Sequence, residues 1–243
     1  LPVNFTVVKT NGQKYSIPNT QSLLANDFTG DGIDDVLTLN IVPNGATESK
    51  LQNVTIYEST SGGTNFIPHT RAVQPNYYRI HSSKKFFYPG DFDGNGISEY
   101  ITILGNVTGS YEPFLCSNYV TGGACGAISI PGPTNFPVAS WVAADRIEVL
   151  DFDGDGKQDI MLIGSSLTEV FTLDGYNAVR IYSGNSLTTA SGELFFADFN
   201  GDGKTDILEV SEDLSALKKW VSLGNTLIQS SIDISHTTSK WPT

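Results

Sequence analysis

At 243 residues with 39% hydrophobic content, the chain is large enough to bury a core; only 16% is charged, so the surface is polar but largely uncharged. The formal charge of −12, from 26 acids and 14 bases, argues against nucleic acid, whose phosphates demand clustered Lys and Arg. No run approaches the roughly 18 apolar residues of a bilayer-crossing helix, so no membrane insertion is expected.

In chain order, the first residue is Leu1, with no charged and apolar leader before the first strand pattern, as in a mature form or an excised fragment. Asn4 to Thr20 reads NFTVVKTNGQKYSIPNT, close to the later NVTIYESTSGGTNFIPHT of Asn53 to Thr70. Four acidic segments follow: DFTGDGIDD from Asp27, DFDGNGISE from Asp91, DFDGDGKQD from Asp151 and DFNGDGKTD from Asp198. They align without a gap, and their starts lie 64, 60 and 47 residues apart. A short apolar run precedes each (SLLAN, KKFFYPG, RIEVL, ELFFA) and another follows (VLTLNIV, YITILG, IMLIG, ILEV). Such runs, rich in Ile, Val, Leu and Phe and bounded by Gly and Asp, predict strand, acidic turn, strand.

Two further strand-like runs follow in most repeats, giving four strands per repeat, the unit of a β-propeller blade. The expected fold is therefore all-β, a propeller of four complete four-stranded blades plus a half-blade. As one domain over 1–243, it divides into a half-blade (1–20) and blades at 21–80, 81–144, 145–191 and 192–243. The opening half-blade has two readings: it completes the last blade and closes the ring, or the chain is a segment of a larger propeller. The second repeat carries an insertion, CSNYVTGGAC, whose Cys116 and Cys125 can close a disulfide, which suggests an oxidising compartment.

The acidic segments have the chemistry of a calcium loop. Oxygen-bearing side chains recur at positions 1, 3, 5 and 9: Asp27, Thr29, Asp31 and Asp35; Asp91, Asp93, Asn95 and Glu99; Asp151, Asp153, Asp155 and Asp159; Asp198, Asn200, Asp202 and Asp206. Calcium takes six to eight hard oxygens, and alternate residues of a tight loop point inward to supply them. Glycines at positions 4 and 6 let the loop wrap, and the Phe at position 2 (Phe28, Phe92, Phe152, Phe199) is expected to pack between sheets in every copy. Thirteen of the 26 acids stand at these positions; four Ca²⁺, one per loop, would take the formal charge from −12 to −4. Only the third loop offers four carboxylates, so it is expected to bind tightest. An EF-hand is rejected, because position 12 reads Thr38, Thr102, Leu162 and Glu209 where a bidentate Glu is needed, and the flanks are not helical.

The motif DF(D/N)GDGxxD, flanked by strands and repeated at blade spacing, resembles the FG-GAP and VCBS repeat family, nearer its bacterial VCBS type. The resemblance implies a β-propeller with hairpin calcium sites like those of integrin α-subunits. It also implies that the position-7 carbonyls of Ile33, Ile97, Lys157 and Lys204 join the ligands. Such repeats occur in secreted proteins, in some lectins and in the shells of Rhs and Tc-type toxins, although the Tyr-Asp repeats of Rhs shells are absent here.

The expected function is a non-enzymatic, extracellular or cell-surface module that binds a protein or glycan on its loops. A shell or docking segment of a large secreted toxin, with other domains in a longer parent chain, and an accessory domain of a secreted enzyme are the alternatives. Catalysis finds little support: His69, His81 and His236 are scattered, and no Gly-x-Ser-x-Gly elbow is present. Tyr77 and Tyr78, read as a loop between Pro75 and Arg79, are the expected ligand-binding aromatics.

Overall fold

In the computed structural model the described residues are 5–8, 14–17, 23–43, 49–60, 66–72, 77–80, 87–106, 111–117, 125–129, 141, 144–185, 187, 192–211 and 217–232. The chain is all-β and its sheets are antiparallel. It divides into two compact units, Leu1–Ala143 with Leu173–Val179, and Ala144–Thr172 with Arg180–Thr243.

In the first unit, β1 (Phe5–Val8) and β2 (Lys14–Ile17) form a two-stranded sheet of their own. The first acidic segment joins β3 (Leu23–Asn26) to β4 (Asp35–Pro43), and β5 (Ser49–Ser59) and β6 (Phe66–Ala72) continue that repeat. The second joins β8 (Phe87–Gly90) to β9 (Glu99–Asn106), followed by β10 (Tyr111–Cys116) and β11 (Cys125–Ala127). Each repeat thus has its four strands, but the two are not separate sheets. A further strand, β7 (Tyr77–Ile80), pairs with β5 on one side and β9 on the other, merging them into one nine-stranded sheet. Tyr77 and Tyr78 therefore lie in a strand, where the sequence reading placed a loop. Pro75 and Asn76 just before them hid a four-residue strand whose partners are far away in the chain. Their side chains lie outside the described residues.

In the second unit, β12 (Arg146–Leu150), β13 (Asp159–Ile163), β14 (Leu167–Asp174) and β15 (Asn177–Asn185) form a four-stranded sheet in chain order, and part of β14 and β15 counts with the first unit. A second sheet follows in the same order: β16 (Gly192–Ala197), β17 (Asp206–Ser211), β18 (Leu217–Ser222) and β19 (Leu227–Ile232). This last sheet already has four strands, and among the described residues β1 and β2 pair only with each other.

The apolar runs read from the sequence build the cores. Leu37, Leu39, Leu51, Val54 and Ile56 pack with Phe28 and Phe87 in the first unit; Met161, Ile163, Val170, Leu194 and Ile207 pack with Phe152 in the second. Phe28, Phe92 and Phe152 are 2%, 1% and 0% exposed, whereas Phe199 is 43% exposed. The expectation that the position-2 Phe packs in every copy fails in the fourth repeat, where no further repeat covers the ring among the described residues.

Cys116 and Cys125 face each other across β10 and β11 and are disulfide-bonded, with a Cα–Cα distance of 4.1 Å. The bond closes a loop spanning nine residues of sequence. Loop-closure entropy for so short a loop is worth roughly 2–3 kcal/mol. Replacing both cysteines with alanine is expected to lower unfolding free energy by about that much, as read from denaturant unfolding, with a steeper slope because the unlinked unfolded chain exposes more surface.

Candidate metal centres

Each acidic segment folds into the same turn, fixed by its own carboxylates. The position-1 carboxylate accepts from the amides of both glycines: Asp27 from Gly30 (2.6 Å) and Gly32 (2.8 Å), Asp91 from Gly94 (2.7 Å) and Gly96 (2.8 Å), Asp151 from Gly154 (2.7 Å) and Gly156 (3.1 Å), Asp198 from Gly201 (2.6 Å) and Gly203 (2.9 Å). Position 5 caps the amide of position 7, as in Asp155 with Lys157 at 2.8 Å. Where position 3 is Asp or Asn, it caps the amide of position 5, as in Asp153 with Asp155 at 3.1 Å. Only a residue comfortable at positive φ suits positions 4 and 6, and all eight glycines there have φ between 76° and 87°.

Position 9 is the first residue of the second strand and is buried: Asp35, Asp159 and Asp206 are 0% exposed and Glu99 2%. Its carboxylate reaches back seven residues to accept the position-2 amide, at 3.0 Å from Phe28, 2.9 Å from Phe92, 2.9 Å from Phe152 and 3.3 Å from Phe199. Asp35 and Asp206 also accept from the amides of Ser59 (2.8 Å) and Ser222 (3.0 Å). Asp159 Oδ1, in contrast, is buried with no partner at hydrogen-bonding geometry.

In two loops three carboxylates converge, each offering one oxygen, with these atoms all within 4.8 Å: Asp91, Asp93 and Glu99, and Asp151, Asp153 and Asp159. Asp155, the fourth carboxylate of the third loop, is not in its triad. Burial pushes Glu99 up to about 7, with the charges of Asp93 and Asp91 adding to the rise, and likewise Asp159 up to about 7, helped by Asp153 and Asp155. Burial, then the neighbouring acids, also raises Asp153, and burial raises Asp35. Three converging carboxylates with a buried, unpartnered oxygen fit a hard cation, which would replace the lost hydration and cancel the mutual repulsion.

The fourth loop differs. Lys219 Nζ stands 3.4 Å from Asp206 Oδ2, so a side-chain cation already sits at position 9. Asn200 Nδ2 donates to Asp202 Oδ2 at 3.1 Å, and backbone donors, chiefly Gly203, lower Asp198. The first loop has Thr29 at position 3, its buried hydroxyl beside Asp35 but with no partner at bonding geometry. Lys219 was invisible to sequence reasoning, lying thirteen residues beyond Asp206 in another strand.

Successive loops also dock on one another. In the first unit, Ser98 at position 8 of the second loop donates to the Asp27 carbonyl at 2.7 Å, and Ile97 at position 7 lies over Gly30, 2.5 Å from where a Cβ would stand. In the second unit, Thr205 donates to the Asp151 carbonyl at 2.8 Å and Lys204 lies over Gly154, 2.9 Å from a Cβ position. The position-4 glycine thus serves the neighbouring loop as well as its own turn.

Of the tryptophans, Trp141 is buried, Trp220 is half-buried and donates to Glu209 at 3.2 Å, and Trp241 lies outside the described residues. Tyr176, which the sequence reading passed over, is 39% exposed and its ring lies on Gly126, next to Cys125. His69 pairs with Glu58 at 2.8 Å; His81 and His236 lie outside the described residues.

The raised carboxylates carry a sign. Below about pH 4 they are protonated whether folded or unfolded; as pH rises, the unfolded chain ionises first and the fold loses stability until about pH 7. Metal-free protein is expected to melt lower as pH rises across that window, and E99Q and D159N to flatten the decline; a melting point that climbs instead would refute the assignment. Gly30→Ala and Gly32→Ala share backbone strain, at φ 80° and 79°, but only Gly30 meets a neighbour, since nothing lies within 4 Å of Gly32. G30A is expected to cost about 1–3 kcal/mol more than G32A in denaturant melts.

Residues 151–209, which hold the third and fourth loops, match the family model described as "FG-GAP-like repeat". No curated protein matches the chain. Among solved structures the chain is similar to an Agrocybe aegerita lectin, described as specifically recognising non-reducing terminal N-acetylglucosamine, at 15% identity and a TM-score of 0.52. The match covers 87% of this chain and 66% of that one, so the chain spans about two thirds of the lectin's length. Residues 151–209 are thus similar to an FG-GAP-like repeat, and the fold of the chain is similar to that of a lectin.

Proposed function

We propose that the chain is a non-enzymatic, calcium-binding β-propeller module of the extracellular space, held rigid by metal in its hairpin loops and binding a glycan or protein ligand. One observation carries the reading: two loops bring three carboxylates together around buried position-9 oxygens that are costly without a cation. Calcium suits this donor set, because it takes carboxylate, amide, hydroxyl and carbonyl oxygens together in flexible geometry. Asp91, Asp93, Asn95 and Glu99, and Asp151, Asp153, Asp155 and Asp159, would hold the strongest ions; the first and fourth loops would bind more weakly. Repeats of four antiparallel strands, each beginning with strand, acidic turn, strand, support blades arranged around an axis.

The disulfide supports an oxidising setting. The lectin's fold supports a binding rather than a catalytic role, and Tyr176 is an exposed ring of the kind that stacks on a sugar face.

The test is calcium binding by the whole chain, measured by metal analysis after dialysis and by thermal melting with and without chelator. Bound calcium and a melting point lowered by chelator are expected, and a metal-free protein with an unchanged melting point would overturn the proposal. Within the same assay, Asp153→Ala is expected to weaken binding more than Asn200→Ala, because the fourth loop already has Lys219 beside Asp206.

A further inference from the structure

The fourth acidic turn does not fit the ion that the second and third fit. In those two, three carboxylates each offer an oxygen to a shared point, and in the third Asp159 Oδ1 is buried without a partner at bonding geometry. Asp206 has no oxygen to spare. Its Oδ1 accepts the Ser222 amide at 3.0 Å, and its Oδ2 accepts the Phe199 amide at 3.3 Å and stands 3.4 Å from Lys219 Nζ. The same ammonium lies 5.9 Å from the centroid of the Phe199 ring, whose negative face attracts a cation. A second lysine, Lys204 at position 7, brings its Nζ to 3.9 Å from Asp202 Oδ2, which also accepts from Asn200 Nδ2 at 3.1 Å. Three acids, Asp198, Asp202 and Asp206, are thus met by two ammonium groups from the same repeat.

Strand register marks Lys219 as a departure from the repeat. In the first three repeats, position 11 of the second strand is paired across to an aliphatic residue: Leu37 to Ile56, Ile101 to Leu115 and Met161 to Val170, and all three partners are buried. In the fourth repeat Leu208 is paired to Lys219. A lysine in that place gives up apolar burial and gains a fixed charge beside a carboxylate that is 0% exposed.

We propose that Lys219 is the resident cation of the fourth turn and shuts calcium out of it, with Lys204 in support. The inference rests on calcium as the ion of the second and third loops, and turns the weaker binding expected of the fourth into exclusion. A dication entering among Asp198, Asn200, Asp202 and Asp206 meets an ammonium already seated on the buried carboxylate, where like charges are poorly screened. To bind, it must expel Lys219 from both Asp206 and the Phe199 ring. The fourth turn is therefore set by the chain itself and keeps its form at calcium levels that empty the other loops.

Two measurements on the whole chain test this: calcium bound per chain by equilibrium dialysis, and thermal melting in chelator. Lys219→Met keeps the reach of the side chain and removes its charge. It is expected to bind one calcium more per chain than wild type, and to melt lower in chelator, where nothing replaces the ammonium. Adding Asp206→Asn to it is expected to abolish the extra ion and to restore part of the melting point, because no unpaired buried carboxylate remains. Lys219→Arg keeps the charge and is expected to hold the wild-type calcium count. Lys219→Gln replaces Lys219→Met should that variant fold poorly. A folded, uncharged variant that gains no calcium, or that melts like wild type in chelator, would overturn the proposal. A wild type that takes no calcium in any loop overturns instead the reading on which the proposal rests, and the chelator melts, which need no calcium, then decide whether Lys219 is the cation of the turn.

Discussion

A carboxylate buried at the first residue of a strand organises every repeat. Asp35, Glu99, Asp159 and Asp206 are removed from water at the point where the acidic turn re-enters the sheet. An ionised carboxylate in such a place is costly unless it is hydrogen-bonded or paired with a cation. Part of the cost is met within the turn, where the position-2 amide donates to it, and that bond holds the aromatic residue at a fixed point against the sheet. In the first and fourth repeats a serine amide from the third strand of the repeat adds a second donor. In the third repeat the Thr172 side chain stands at Asp159 instead, one carboxylate oxygen has no partner at bonding geometry, and without a metal burial pushes the carboxyl up to about 7.

The four loops therefore meet one demand by different means. The second and third place three carboxylates around the buried position, a donor set that fits an external cation. The fourth substitutes Asn200 at position 3 and brings Lys219 to Asp206, so a side-chain ammonium supplies part of the positive charge. Lysine at this place is a fixed, permanent counter-ion, whereas a metal site responds to the ion concentration around it.

Much of this was legible in the sequence because it is local. Oxygen at alternate positions, glycine at positions 4 and 6, and apolar runs on both sides are properties of nine consecutive residues, and the turn's hydrogen bonds span two to seven residues. What escaped was set by distant partners. β7 forms because β5 and β9 both have backbone groups to satisfy beside it, which the residues 77–80 themselves do not announce. Phe199 reads like Phe28, Phe92 and Phe152, and differs because nothing described covers it. Lys219 reads as a surface lysine until β18 is placed beside β17. The glycines at position 4 were assigned to the turn alone, and nothing in the motif shows that the next loop's Ile97 or Lys204 lies on them.

That double duty explains the spacing of the repeats. The acidic segments keep one length while the distance between their starts varies from 47 to 64 residues. An inserted residue within the segment would shift the alternation that aims the oxygens inward, and would move the position-7 side chain and position-8 amide off the preceding loop. Both the site and the contact between repeats would be lost together. The insertion between β10 and β11 lies outside the acidic segments, where the disulfide ties the two strands together. Length variation is therefore confined to the segments between the acidic turns, which carry no shared register.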